Sequence, residues 1–363
     1  MCLVFLSHAH AFQCLVFQLP SIRGFSSYKK SKKGEKHVRS MVSSGLCFSL
    51  TVLLLLMLVT SELTVDYYKR TCPHAESILR QVMVQKIREA PTTAGATLRL
   101  LFHDCFVDGC DASVLVSSTP GNKAERDEEI NHSLAGDAFD AVHRAKAAVE
   151  KICPGVVSCA DVLAIITRDL VQLVGGPFWE VRKGRKDGRL SMASRVGRNL
   201  PTSTASINEL TRLFASKGLN EIDLIALSGA HTIGFAHCTE FTNRIYNFNG
   251  TRAGDPSMNP SFLGELRRAC PPRNGNPDVV ASMDAATPFQ FDNSYYRSMQ
   301  RGLGLLTSDQ ELLTNARTRS VVDAFASSQD LFYEVFAASM DKLGNVGVKN
   351  ETNGVVRKEC HRT

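Results

Sequence analysis

Two histidines stand in surroundings that could carry chemistry. Arg99 and His103 are four residues apart in the stretch 96–106, so a helix there places both on one face with Phe102 beside them. A base next to a fixed cation suits a reaction in which a proton leaves one atom while negative charge grows on another. Alone, Arg-x-x-x-His is more often a solvated helix face, but Leu98, Leu100, Leu101 and Phe102 surround this pair with apolar surface. His231 follows the apolar run 224–227 and Gly229, a position from which a neutral imidazole can reach a metal or a haem iron. Taken singly, such a histidine is usually a satisfied core residue.

Oxygen donors cluster after each histidine. Asp104, Val107, Gly109, Asp111 and Ser113 could supply carboxylate, hydroxyl and carbonyl oxygens to a hard cation such as calcium, which takes six to eight. The run is not an EF-hand, because its twelfth position is Leu115 rather than Glu, and a turn of solvated acids is the plainer alternative. Cys105 and Cys110 could bridge locally and tighten it. A later segment holds Asp284, Thr287, Gln290 and Asp292, and beyond it Ser308-Asp309 could cap a helix. No G-x-S-x-G elbow, Cys/His zinc spacing, Walker or dinucleotide glycine pattern is present.

Helices must position these groups. Apolar residues recur every three to four positions over 137–153, with similar stripes over 76–88, 94–106, 160–174, 207–215, 221–227 and 325–343. Short strands are expected at 179–183 and 354–358. The expectation is an all-α fold of about ten helices with minimal β structure, in one compact unit or two intimate lobes, without internal repeats. A chain 44% hydrophobic and 21% charged has a globular balance, which excludes intrinsic disorder and low-complexity fibre.

The first sixty residues read differently. Residues 46–59 form an apolar run too short to span a bilayer comfortably and suited to a signal-peptide core, with Met41 as a possible initiator and Thr60 and Ser61 near a cleavage point. The organisation expected is a non-structural extension at 1–40, a signal peptide at 41–61 and a folded domain at 62–363. Residues 1–61 carry seven of the 42 Lys and Arg and one of the 36 acids, so the remainder holds 35 of each and the +6 net charge vanishes. The basic cluster at Lys29–Lys36 goes with that segment, and nucleic-acid binding by the folded part loses its support. Three of eleven cysteines also go. The eight left suit four disulfides in an oxidising compartment.

Four motifs in order, LRLLFHDCFVDGCDASVL, LSGAHTIG, FDNSYY and SDQEL, closely resemble the class III secretory plant peroxidases of the horseradish type. The likeness runs from about Tyr67 to Cys360. It implies one haem b between two helical lobes, with His231 the axial iron ligand, Asp309 accepting its other ring proton, and Phe102 a wall above the haem. It implies catalytic roles for His103 as base, Arg99 as charge stabiliser and Asn131 as the partner that leaves one nitrogen of His103 free. Two calcium sites follow by the same matching: Asp104, Val107, Gly109, Asp111 and Ser113 with Glu125 as a water-mediated support, and Thr232, Asp284, Thr287, Gln290 and Asp292. Pro201 falls at the donor-access edge, and Asp161 with Arg185 is a structural ion pair. The implied disulfides are Cys72–Cys153, Cys105–Cys110, Cys159–Cys360 and Cys238–Cys270.

The activity implied is reduction of hydrogen peroxide with one-electron oxidation of phenolic or other small aromatic donors. Glu129 and Glu240 depart from the family by standing where some members carry aromatics, which disfavours acidic donors. A non-enzymatic calcium-binding wall protein on the same scaffold is the alternative from another class. The sequons Asn249 and Asn350 suit glycans, whereas Asn131, also in a sequon, is expected to stay unmodified. The expectation is a monomer, free of the membrane after signal cleavage. With three residues after Cys360, the extracellular wall is favoured over the vacuole.

Overall fold

In the computed structural model residues 63–272, 276 and 278–363 are described; the extension at 1–40 and the signal peptide at 41–61 lie outside them. Four helices make the first half: α1 (Ala75–Glu89), α2 (Thr93–Phe106), α3 (Gly136–Ile152) and α4 (Cys159–Leu173). Ser158 starts α4 by accepting from the Asp161 amide at 3.1 Å, and every residue from Cys159 to Val171 is buried. A helix without a polar face must be enclosed, and α1, α2 and α3 all pack on it.

Two capping boxes open the next pair. Ser206 and Glu209 start α5 (Ile207–Ser216), and Asn220 and Asp223 start α6 (Glu221–Ser228). Helix α6 runs into a 3₁₀ turn, Gly229–Thr232, that carries His231. Strand β1 (Phe235–His237) then pairs antiparallel with β2 (Val280–Ser282), Phe235 opposite Ser282. Between and after them lie α7 (Thr242–Tyr246), α8 (Pro260–Ala269), α9 (Ser294–Gln300), α10 (Thr307–Thr314), α11 (Arg319–Ser327) and α12 (Gln329–Leu343). The architecture is all-α with minimal sheet, twelve α-helices among the described residues.

Three sequence expectations need correction. The stripe 325–343 is two helices, because Ser328 is extended (φ −135°) and its hydroxyl caps α12 by accepting from Leu331 at 3.2 Å. Residues 179–183 form no strand: Lys183 makes one bridge with Thr64 before Gly184, at φ +118°, turns the chain away. Residues 354–358 likewise stop at one bridge, Val355 with Asp187, after which the Arg357 amide donates to the Asp187 carboxylate at 2.8 Å instead of to backbone. The pair that does form, β1–β2, lacks a strand-like alternation to signal it.

One large core runs through α1–α6 and α9–α12, with a smaller cluster of Phe241, Ile245, Met258, Phe262 and Leu266 under α7 and α8. Disulfides join Cys72 to Cys153, Cys105 to Cys110, Cys159 to Cys360 and Cys238 to Cys270. The bridge from Cys159 ties the start of α4 to a residue 201 positions later. The two histidine-bearing elements meet at a pair of glycines. A Cβ on Gly95 of α2 would lie 3.0 Å from the Cα of Gly234, itself at φ +101°, three residues after His231. Only residues without side chains allow that approach.

Candidate active site

Helix α2 brings Arg99, Phe102 and His103 together as its period requires. His103 is 6% exposed, while Arg99 and Phe102 are half-buried. The ring of Phe102 stacks on Phe106 with centroids 4.0 Å apart, and Phe106 packs edge-on to Phe214 of α5. A loop 28 residues further on supplies the partner of His103: Nδ1 lies 2.6 Å from Asn131 Oδ1. Asn131 Nδ2 donates to the Glu125 carbonyl at 2.7 Å, which fixes the amide with its oxygen toward the ring. Nδ1 therefore carries the proton and Nε2 keeps its lone pair. Burial, and then the charge of Arg99, push the His103 pKa down to about 3, against the opposing hydrogen bond from Asn131. The imidazole is neutral at physiological pH, as a proton acceptor must be. Arg99 donates to the Ser133 carbonyl at 2.8 Å and to its hydroxyl at 2.9 Å, so its guanidinium is held in place.

The second histidine is partnered by a charge. His231 Nδ1 lies 2.9 Å from Asp309 Oδ1, with the imidazole side chain 39% exposed and the carboxylate 3%. Asp309 is the third residue of α10 and caps nothing, so the N-cap alternative falls: its carboxylate also accepts from the Tyr295 hydroxyl at 2.9 Å. The Asp309 bond fixes the Nδ1–H tautomer of His231 and leaves Nε2 as a free donor on the open side of the ring. That donor set, an imidazole nitrogen backed by a buried carboxylate, is of the kind that would hold a haem iron.

The oxygen-rich segments also gather. Asp104, Asp111, Ser113 and Glu125 are all buried. Asp104 accepts from the amide of Ala112 at 2.9 Å, and Asp111 from that of Ser113 at 3.0 Å. Ser113 Oγ donates to Glu125 Oε2 at 3.2 Å, while Glu125 Oε1 is buried without a partner among the described residues. Burial pushes the pKa of all three carboxyls up, Glu125 to about 8, and Asp111 and Glu125 add their charges to the effect on Asp104. Mutually repelling buried carboxylates and an orphaned oxygen fit the binding of a cation. No three His, Cys, Asp or Glu side chains among the described residues converge as a ready metal cluster. The donors would thus be the mixed kind that calcium accepts, with backbone carbonyls completing the shell. Near His231, Thr232 Oγ1 donates to Asp292 at 3.3 Å and Thr287 Oγ1 to Asp284 at 3.1 Å, while Gln290 is exposed.

Sequence reasoning missed several supports. Ser133 holds Arg99, and Tyr295, within the FDNSYY motif, shares Asp309. Lys349 donates to the Asp108 carbonyl at 3.1 Å and approaches Asp111 Oδ2 at 3.7 Å. It reaches them because Gly347 crosses Gly109, where an added Cβ would meet the other backbone at 2.4 Å. Pro201 is half-buried, and Glu129 and Glu240 are exposed. Burial lowers the Arg99 pKa and the charge of Glu240 partly offsets that, which puts Glu240 within electrostatic reach of the arginine. Asp161 and Arg185 pair at 2.8 Å, with Tyr68 donating to the same carboxylate at 2.7 Å.

A family model described as Peroxidase matches residues 79–328. The chain belongs to the peroxidase family. It is 51% identical to Peroxidase 51 of Arabidopsis thaliana and 51% to Peroxidase 50, each over 86% of this chain and 95% of the relative. It is 47% identical to Peroxidase 73 of the same plant, over 86% of this chain and 98% of the relative. Its place is thus among the class III plant peroxidases, oxidoreductases that hold haem and calcium and use hydrogen peroxide with a donor substrate. No helix among the described residues is long and apolar enough to cross a membrane.

Proposed function

We propose that this chain is a secreted peroxidase whose two histidines divide the work. His231 Nε2 holds haem b, one per chain, which supplies the redox chemistry when bound. His103 Nε2 accepts a proton from one oxygen of hydrogen peroxide and returns it to the other, the departing one. Asn131 keeps that nitrogen unprotonated through its bond to Nδ1. Arg99, braced by Ser133, stabilises negative charge that develops as the oxygen–oxygen bond breaks. Phe102 covers the reacting centre and excludes water. The observation that carries this reading is the fixed tautomer of His103 beside a braced arginine.

Two calcium ions are the natural occupants of the sets around Asp104, Asp111 and Ser113 and around Thr232, Asp284 and Asp292, with Glu125 supporting the first. Phenolic or other small aromatic donors would enter past Pro201, and Glu129 and Glu240 would disfavour acidic ones. A monomer exported to the extracellular wall completes the proposal, with glycans on Asn249, which is exposed, and Asn350, and none on buried Asn131. The test is His103→Ala, for which we expect the peroxide reaction to slow by at least about a hundredfold in protein that still takes up haem. Near-normal rates would overturn the assignment of the base.

A further inference from the structure

One oxygen of Asp309 accepts two hydrogen bonds. His231 Nδ1 and the Tyr295 hydroxyl both donate to Oδ1 at 2.9 Å, while Oδ2 is buried with no partner among the described residues. The phenol is held in place. Tyr295, on α9, is 2% exposed within the large core, its ring stands edge-on to Tyr296 at 4.9 Å, and its hydroxyl reaches across to Asp309 of α10. Tyr296 in turn donates to the Ile225 carbonyl of α6 at 2.8 Å, so α9 is pinned to the helix that leads into the His231 turn.

We infer that Tyr295 is a positioning residue that sets how strongly Asp309 draws the Nδ1 proton of His231. This rests on the reading of His231 as the haem ligand. Hydrogen bonds to a charged acceptor are strong where water is excluded, and two donors on one oxygen divide its negative charge. Sharing with the phenol therefore leaves less pull on the imidazole, whose Nε2 is then a weaker electron donor to a metal. The phenol is the donor in this bond, because the Asp309 oxygen it meets at 2.9 Å is an acceptor. A tyrosine kept for packing alone would act through its ring and not through its oxygen.

Tyr295→Phe removes the oxygen and keeps the ring. In haem-loaded protein, Asp309 should then draw the His231 proton harder. The Fe(III)/Fe(II) midpoint should fall enough to change the oxidised-to-reduced ratio at fixed potential about tenfold, or about 59 mV for one electron. The iron–imidazole stretch in the Raman spectrum of the reduced protein should rise with it. Replacing Tyr295 by 3-fluorotyrosine, a stronger donor, should move both in the opposite direction and covers the case in which the phenylalanine variant fails to fold. An unmoved midpoint and stretch in either folded variant would overturn the inference. Absence of any iron–imidazole band in the unaltered protein would instead overturn His231 as the ligand, and with it the basis of the proposal.

Discussion

The two histidines differ in what they are tied to. His103 is almost fully buried and gives its Nδ1 proton to a neutral amide; His231 is partly open and gives its own to a buried carboxylate. An amide oxygen fixes a tautomer without adding charge, so His103 stays a weak base, free to take and return a proton. A carboxylate fixes the same tautomer and also enriches the ring, making His231 a better metal donor. In the proposed function, one residue type would serve as acid–base catalyst on one side and as ligand on the other, set apart by partner, burial and the neighbouring charge of Arg99.

Exchanging the partners breaks this contrast. Asp309→Asn makes the His231 side resemble the His103 side, and the rate of the peroxide reaction should fall about 10- to 100-fold, the usual effect of removing a partner that supports a metal ligand. Stopped-flow mixing with hydrogen peroxide reads it. The reverse change, Asn131→Asp, places a carboxylate against His103 and raises its pKa. With His103 as the proposed base, the unaltered protein would work through the neutral imidazole, so its rate should hold as pH falls from 7 and drop only near the folded pKa of about 3. In the aspartate variant the drop should move upward, costing about tenfold at one pH unit below the new pKa. Stability follows the same sign. Between pH 6.5 and about 3 the unfolded chain binds a proton at His103 that the folded chain does not, so this residue's contribution is whole above 6.5 and is lost as pH falls through that window.

Calcium removal should have the smallest effect on the contrast, acting on both sides through the loops next to each histidine. Asp104 follows His103 and Thr232 follows His231. Calcium at a hundred times its dissociation constant stabilises by about 2.7 kcal/mol, so chelation should lower the melting temperature measurably, and rebinding should release protons from the buried carboxyls. An unchanged melt would argue against calcium at these loops.

How much of this was legible depended on distance along the chain. Arg99 and His103 could be placed on one face from spacing, and α4 was plain from its apolar run. Asn131 and Asp309, 28 and 78 residues from their histidines, came only through the family likeness, because no period links a loop to a helix that far away. Asp309 alone even suggested a helix cap. Lys349, 241 residues from Asp108, gave no signal, because its reach depends on two glycines crossing. Helix α8 was missed although Asn259-Pro260 carries a start signal, a capping amide followed by proline, and Asn259 Oδ1 does accept from Ser261 at 3.0 Å. The strands were misplaced because single bridges and three-residue pairs lie below what alternation can detect.

The central claim is that the open nitrogen of His231 holds the haem while His103 does not. Titrating haem b into the purified domain and into His231→Ala, and following the Soret absorption, tests it directly. We expect one saturable site in the unaltered protein and in His103→Ala, with loss or marked weakening in His231→Ala. Folded protein with no Soret band, or undiminished binding in His231→Ala, would contradict it.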